Sequence, residues 1–322
     1  MHNSEPNIIL QNSITVSVVI PCYDRMDLLE RTLHACLQQI VKDTTLMWEV
    51  VVADNHPQRI AKDLVQALQS SSPVPLRYIE AGERNIAQAR NLGIAAAQGA
   101  FIAFVDDDEA PASDWLEAHY TCLICTKADA SFGPKYPVFD GGKAPEWDPT
   151  GHYYTTDFHL PQNTRLKPLQ WFPPQARGLG TGNSMMRRAT CLMGDKPFDE
   201  KFGRCGGEDT MLLLSLAKKG RYFVWCATAH VWEYNEAPRK VLSYMARRVQ
   251  RSSYHSAAVR LAISDHPFST RCNICAVGVA QLLVYGLLFL IRKRSSDYLQ
   301  VCKAKGKLGF GSMDFIPEPA PE

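Results

Sequence analysis

The sequence predicts an α/β fold: a mixed, mainly parallel sheet with helices on both faces, followed by a helical C-terminal region. Two observations carry this. Short β-branched apolar runs alternate with stretches whose apolar residues recur at helical spacing, a rhythm that builds a doubly wound sheet with right-handed crossovers. The chain of 322 residues is also 46% hydrophobic and 21% charged, enough for a sizeable core and about two domains.

Taken in order, Ile14 to Ile20 (ITVSVVI) predicts a strand buried on both faces and stopped by Pro21. Asp24 is placed to cap the following helix, in which Leu28, Leu29, Leu33, Cys36, Leu37 and Ile40 share a face. Trp48 to Asn55 predicts a second strand, and a helix from Pro57 carries Ile60, Leu64, Val65 and Leu68. A third strand spans Leu76 to Ala81, and an Ala-rich helix from Asn85 to Gln98 is closed by Gly99. The fourth strand, Phe101 to Val105, leads into Asp106-Asp107-Asp108-Glu109 and a helix over Trp115 to Lys127. Residues Tyr136 to Pro174 lose periodicity and predict a long substrate-side loop. Order returns with a small-residue turn at 181–183, a short element through Met185 and Met186, a helix Thr210 to Lys219, and strands Tyr222 to Cys226 and Ala229 to Trp232. The expected organisation is a tail (1–13), a catalytic domain (14–235, divided near residue 110 into nucleotide and acceptor halves) and C-terminal helices (236–322) ending in a disordered PEPAPE tail.

Charge is distributed unevenly. From Glu236 onward there are 13 Lys and Arg against 6 Asp and Glu; the first 235 residues carry 22 against 27. The basic helix Val241 to Ile263 precedes an uncharged apolar segment, Ile274 to Ile291, flanked by Arg271 and Arg292-Lys293-Arg294. Basic residues interleaved with apolar ones point to a membrane surface as partner, with no role for nucleic acid. Basic flanks on both sides conflict with a simple span, which ranks interfacial or re-entrant insertion ahead of a buried core helix, and a true span last. No signal peptide is expected at the N-terminus, so the ten cysteines are expected to be reduced thiols in a protein at the cytoplasmic face of the cell membrane.

Several chemistries are excluded. The first β-α turn reads PCYDRMD where a dinucleotide site requires G-x-G-x-x-G; Gly178, Gly180 and Gly182 mimic that fingerprint without a preceding strand, and no P-loop is present. Cys122-x-x-Cys125 lies at helical spacing and Cys272-x-x-Cys275 borders the apolar segment, which does not support zinc.

The residues that remain carry hard oxygen chemistry. Three aspartates after a strand repel one another unless a cation meets them, and carboxylate oxygens suit Mg²⁺ or Mn²⁺ shared with substrate phosphates. Pro21, Tyr23, Asp24 and Asp54 lie at the same sheet edge, where ligands bind in open α/β sheets. They fit a base and ribose, although an Asp after a strand equally serves as a helix cap. Arg84 and Arg90 fit either phosphate neutralisation or salt bridges. Glu208 and Asp209 open a helix as a base pair of carboxylates or as N-terminal caps, and His230 fits a metal or phosphate ligand or an ordinary polar residue.

In this order, VSVVIPCYDR, VVADN, ERNIAQARNLGIAAA, FVDDDE, TGNSMMRR and GGEDTMLLLSLAKKG resemble the family-2 glycosyltransferases of GT-A (Rossmann-like) fold over Val16 to Trp232. The GGEDT stretch and basic tail further resemble bacterial exopolysaccharide and lipid-linked-glycan transferases, including succinoglycan-type glucosyltransferases. The resemblance implies a divalent-metal-dependent, inverting transferase taking a nucleotide-sugar donor, of UDP type, to a lipid-linked or glycan acceptor. It implies Pro21, Tyr23 and Asp54 at the base and ribose, with Arg84 and Arg90 nearby. Asp106 would face ribose or metal, Asp108 the metal, and His230 would match a histidine that follows the last strand. Asn183 would face sugar or acceptor, and Asp209, with Glu208 in second place, would be the base. Asp107 departs from the commoner small residue of D-x-D. Trp147, Tyr153, Tyr154 and Trp171 either stack on sugar rings or pack their loop. Alternatives of other classes are a catalytically silent glycan-binding scaffold and a sugar nucleotidyltransferase, the latter lacking a Gly-rich triphosphate loop near residue 21.

Overall fold

A computed structural model describes residues 14–170 and 178–309. The chain forms β1 (Val16–Cys22), α1 (Met26–Leu37), β2 (Trp48–Asp54), α2 (Lys62–Gln69), β3 (Leu76–Glu80), α3 (Ile86–Ala96), β4 (Phe101–Phe104), β5 (Glu109–Pro111), α4 (Trp115–Thr126), β6 (Ala130–Phe132), β7 (Lys135–Phe139), β8 (Thr164–Leu166), β9 (Ser184–Arg187), α5 (Arg188–Cys191), α6 (Glu208–Lys218), β10 (Phe223–Trp225), β11 (Val231–Asn235), α7 (Leu242–Ala262), α8 (Pro267–Arg292) and α9 (Ser295–Leu308).

The main sheet has the order β3-β2-β1-β4-β9-β6-β10-β8, and a smaller one the order β5-β11-β7. β1 through β4 are parallel, while β9 runs antiparallel between β4 and β6. The alternation of apolar residues explains the layers. Val18, Ile20, Val50 and Val52 face α1, α2 and α4, whereas Val19, Val51, Ile102 and Phe104 face α3 and α6. Both faces are covered, so these strands read as continuous apolar runs. The order turns at β1, with β2 on one side and β4 on the other; the carboxyl ends of these strands open the crevice in which α/β proteins bind ligands.

Pro21 does not stop β1. The strand runs on to Cys22, because past Val19 it is paired only with β2, and a proline is tolerated where one side carries no ladder bond. Asp24 does not cap α1 either: the helix begins at Met26 after Arg25 and has no side-chain cap. Asn85 does cap α3, accepting from Gln88 N at 3.1 Å. The stretch expected to be irregular holds β7 and β8, and its aromatics pack inward. Tyr154 joins Met245, Leu299 and Cys302 in a core supported by Phe139, Trp147 and Tyr153. This core ties the 139–154 segment to α7 and α9. Trp171 lies outside the described residues.

Close backbone approach fixes Gly133, after β6, because a methyl there would collide with the carbonyl oxygen of Ala229. Gly133→Ala is expected to cost roughly 1–3 kcal/mol from overpacking, measured as a loss of urea-unfolding free energy.

Helix α9, which the sequence pattern did not single out, lies between α7 and α8. Its Gly306 passes over the Gln250 carbonyl of α7, and Gln300 and Lys307 bond Gln281 of α8 at 2.8 and 2.5 Å. Helix α8 is long and apolar enough to cross a membrane, and only 11% of its most apolar window is buried. The core of the described residues therefore does not enclose it. Leu283, Val284, Leu287, Leu290 and Ile291 are all exposed.

Candidate active site

The crevice is built from three loops. After β1, Tyr23 stands with its ring 5.0 Å from that of His56 and with the Arg84 guanidinium 5.1 Å above it. This aromatic and cationic corner has the composition that stacks a planar heterocycle. Asp54 lies beneath it, fully buried. It accepts from His56 N at 2.9 Å, Ala61 N at 3.0 Å and Tyr78 Oη at 3.0 Å. Both oxygens thus organise the loop after β2, and the structure does not bring this carboxylate to the surface of the corner. Asp24 is exposed beside it, and Pro21 is buried in β1.

The acidic turn between β4 and β5 forms the next wall. Arg25 bridges Asp107 and Asp108, Tyr23 N donates to Asp107 at 3.3 Å, and Lys135 pairs with Glu109 and lies 3.8 Å from Asp106. Arg239, from the turn before α7, holds Asp108 at 2.6 Å. Burial pushes Asp107 up to about 7 and Glu109 up to about 8, with neighbouring carboxylates adding to the rise against Arg25 and Lys135 respectively. Asp106, which burial alone would raise, is held below its usual value by Lys135, Arg90 and Arg25.

The third wall is the N-terminus of α6. Gly206 and Gly207 both take positive φ, 88° and 100°, a turn that favours glycine, and His255 of α7 packs against them. Glu208 is 6% exposed, and burial followed by the charge of Asp209 pushes it up to about 7. Asp209 is more open, with 23% of its side chain exposed. It accepts from Thr181 Oγ1 at 2.7 Å, Thr181 N at 3.1 Å and Arg90 at 2.8 Å, and Gly180 leaves room beside it.

Besides Asp54, three residues sit differently from the expectation. Arg90 does not face an open phosphate site: it is 2% exposed and joins the two acidic walls, bonding Glu208 at 2.7 Å, Asp209 at 2.8 Å and Asp106 at 3.2 Å. Asn183 is buried under the site. Its oxygen accepts from Trp115 Nε1 and bonds His119 Nε2, while its amide donates to the carbonyls of Pro134 and Ala229. A full set of partners leaves it bracing the fold beneath the acceptor side. His230 is kept off the acidic turn, because β11 sets Tyr234 N against the Asp108 carbonyl and the His230 carbonyl against Ala112. Its ring packs with Tyr136 and Trp232.

Sequence reasoning missed Arg25, His56, Lys135, Thr181 and Arg239. Arg25 adjoins the singled-out Tyr23 and Asp24, and Thr181 stands in the singled-out turn. Lys135 and Arg239 carry no local signal.

The donor set suits a hard divalent cation. Across the two acidic walls six carboxylates (Asp106, Asp107, Asp108, Glu109, Glu208 and Asp209) meet four cations, Arg25, Arg90, Lys135 and Arg239. Burial first, and the neighbouring carboxylates after it, raise the pKa values of Asp107, Glu109 and Glu208. Among the described residues no three ligating side chains gather around one position.

Comparison with known proteins agrees with this architecture. The family model "Glycosyl transferase family 2" matches residues 17–191. The chain is 29% identical over 266 residues to the "Succinoglycan biosynthesis protein ExoM" of Rhizobium meliloti, covering 83% of this chain and 81% of the relative. It is 31% identical over 132 residues to "Glycosyltransferase AglE" of Haloferax volcanii, covering 41% of this chain and 43% of that protein. Among solved structures, S. aureus TarS 1–349 in complex with UDP-GlcNAc superposes with a TM-score of 0.56 at 14% identity, covering 92% of this chain and 91% of that one. GalNAc-T7 with UDP, GalNAc and Mn²⁺ gives a TM-score of 0.50 at 14% identity over 81% of this chain and 54% of that one. These likenesses fix the fold as GT-A, and the family match over more than half of the sequence, on a crevice of this composition, makes the chain a glycosyltransferase belonging to family 2.

Proposed function

We propose that the chain is an inverting transferase that moves a sugar from a nucleotide donor of UDP type to a hydroxyl of a lipid-linked or growing glycan at the cytoplasmic face of a membrane. The observation that carries this reading is the pairing of the acidic turn with a partly exposed, anchored Asp209 across the buried cation Arg90. Tyr23, His56 and Arg84 hold the base. A bound Mg²⁺ or Mn²⁺, held by Asp106 and Asp108, would supply the positive charge that a departing nucleoside diphosphate needs. Asp209 is oriented by Thr181 and Arg90 and takes the proton of the acceptor hydroxyl as it attacks the anomeric carbon. Attack comes from the face opposite the leaving diphosphate, so an α-linked donor gives a β-linked product. A relative named for succinoglycan biosynthesis and a structure solved with UDP-GlcNAc support the glycan-building setting and the donor class.

Calorimetric titration with UDP, with and without Mn²⁺, tests the donor site. Metal-dependent binding by the wild-type chain that is lost in Asp108→Ala is expected; UDP binding that ignores both metal and substitution would refute it.

Helix α8 supports the membrane reading. Helix α9 lies along the same stretch that is apolar, through Gln281–Gln300, Gly278–Leu308 and Phe289–Tyr298. A spanning α8 would drag Lys303, Lys305 and Lys307 into hydrocarbon, at a cost of about 2.5–3.5 kcal/mol for each charge at the bilayer centre. An in-plane α8 instead sinks Leu283, Leu287 and Leu290 while Arg271 and Arg292–Arg294 meet anionic headgroups. The double variant Leu287→Glu/Leu290→Glu is expected to stop sedimenting with anionic vesicles while binding UDP as the wild type does.

A further inference from the structure

One carboxylate oxygen of the acidic turn holds two guanidinium groups. Arg25, at the start of α1, and Arg239, from the turn before α7, both close on Asp108 Oδ2. Their attachments differ. Arg25 also pairs with Asp107 and stands at the N-terminus of a packed helix. Among the described residues the Arg239 side chain bonds only Asp108, through Nη1, and 24% of it is exposed, as is the case for Arg25. Its backbone is pinned: Tyr154 Oη donates to the Arg239 carbonyl at 2.7 Å, Trp147 Nε1 donates to the Lys240 carbonyl at 2.7 Å, and Arg239 N donates to Glu236 O at 3.0 Å. A fixed turn thus carries a long, movable, permanently charged fork into the site.

We propose that Arg239 is a donor-phosphate residue whose guanidinium exchanges Asp108 for the diphosphate of the donor. The proposal rests on the donor reading above. A divalent cation and a guanidinium compete for the same carboxylate oxygen, so a cation that binds Asp108 displaces Arg239. The freed fork then needs an anion, and the diphosphate arriving with the donor supplies one with matching oxygen geometry. Cation and nucleotide therefore bind as a pair, each removing an obstacle to the other, and by linkage the coupling is reciprocal. The residue belongs to the segment after the catalytic sheet, outside the 17–191 family match. The C-terminal helices consequently bring a donor-binding group along with their apolar face.

The test compares wild type with Arg239→Gln in three titrations: Mn²⁺ alone, UDP alone, and UDP at saturating Mn²⁺. In Arg239→Gln, Mn²⁺ alone is expected to bind more tightly, because a competitor has gone. UDP at saturating Mn²⁺ is expected to bind about tenfold more weakly, as for loss of one charge-assisted hydrogen bond. Arg239→Lys keeps the charge without the fork and should recover part of the UDP affinity, which also covers a glutamine variant that fails to fold. A residue that merely braced Asp108 would weaken Mn²⁺ binding when removed. That outcome, or unchanged affinities in both titrations, overturns the proposal while leaving the donor reading intact. A wild-type chain that binds no UDP under any condition overturns both.

Discussion

Asp209→Asn is expected to lower sugar transfer by about 10³-fold, within the 10²–10⁴ range of general-base catalysis, with UDP binding left as in the wild type. The amide oxygen still accepts from Thr181 N, but its nitrogen replaces the oxygen that accepts from Thr181 Oγ1 and Arg90, and the amide cannot take a proton. Glu208 cannot stand in. It is 6% exposed, and its Oε2 is buried with no hydrogen-bond partner among the described residues. Steady-state UDP release checks this together with the UDP titration, and Glu208→Gln should retain more activity than Asp209→Asn. Equal losses in the two variants would assign the wrong carboxylate.

Arg90→Leu is expected to destabilise the chain by about 3–5 kcal/mol, the effect of removing one partner from a buried charge network. Three carboxylates lose their shared cation while Leu fills much of the space beside Phe198. The pH dependence has a defined sign. Glu208 is pushed up to about 7, so its protonated form suits the fold. The stability this contributes is complete below its unfolded pKa and is lost as pH rises through 7. Arg90 opposes that rise, and without it the loss moves to still higher charge cost. The variant should therefore fall further below wild type at pH 8 than at pH 6 in denaturant titrations. A deficit that shrinks toward pH 8 would contradict the network as described.

The parts legible in the sequence are those encoded locally. The apolar runs of β1, β2 and β4 gave away the doubly wound half, and the acidic turn and the Glu208-Asp209 pair marked two walls of the crevice. What the sequence hid depends on long-range pairing. Arg90 looks like any helix cation until α6 brings Glu208 and Asp209 to it. Arg239 is one of 13 basic residues in the tail, and only its contact with Asp108 separates it from the others. Asn183 and Asp54 are polar residues at the expected sheet edge, yet partners from α4, β3 and the loops after β2, after β6 and before β11 claim them. Pro21 reads as a stop because the pattern does not reveal that β4 leaves β1 at Val19. Helix α9 is polar over much of its length and gains its place by packing between two other helices.

Donor hydrolysis followed by proton NMR tests the central claim without knowledge of the acceptor, since water can take its place beside Asp209. With UDP-α-sugars supplied in turn, together with Mn²⁺, the account predicts that the free sugar first appears as the β-anomer, and that Asp209→Asn abolishes its formation. Initial release of the α-anomer, or release by Asp209→Asn at the wild-type rate, would contradict it.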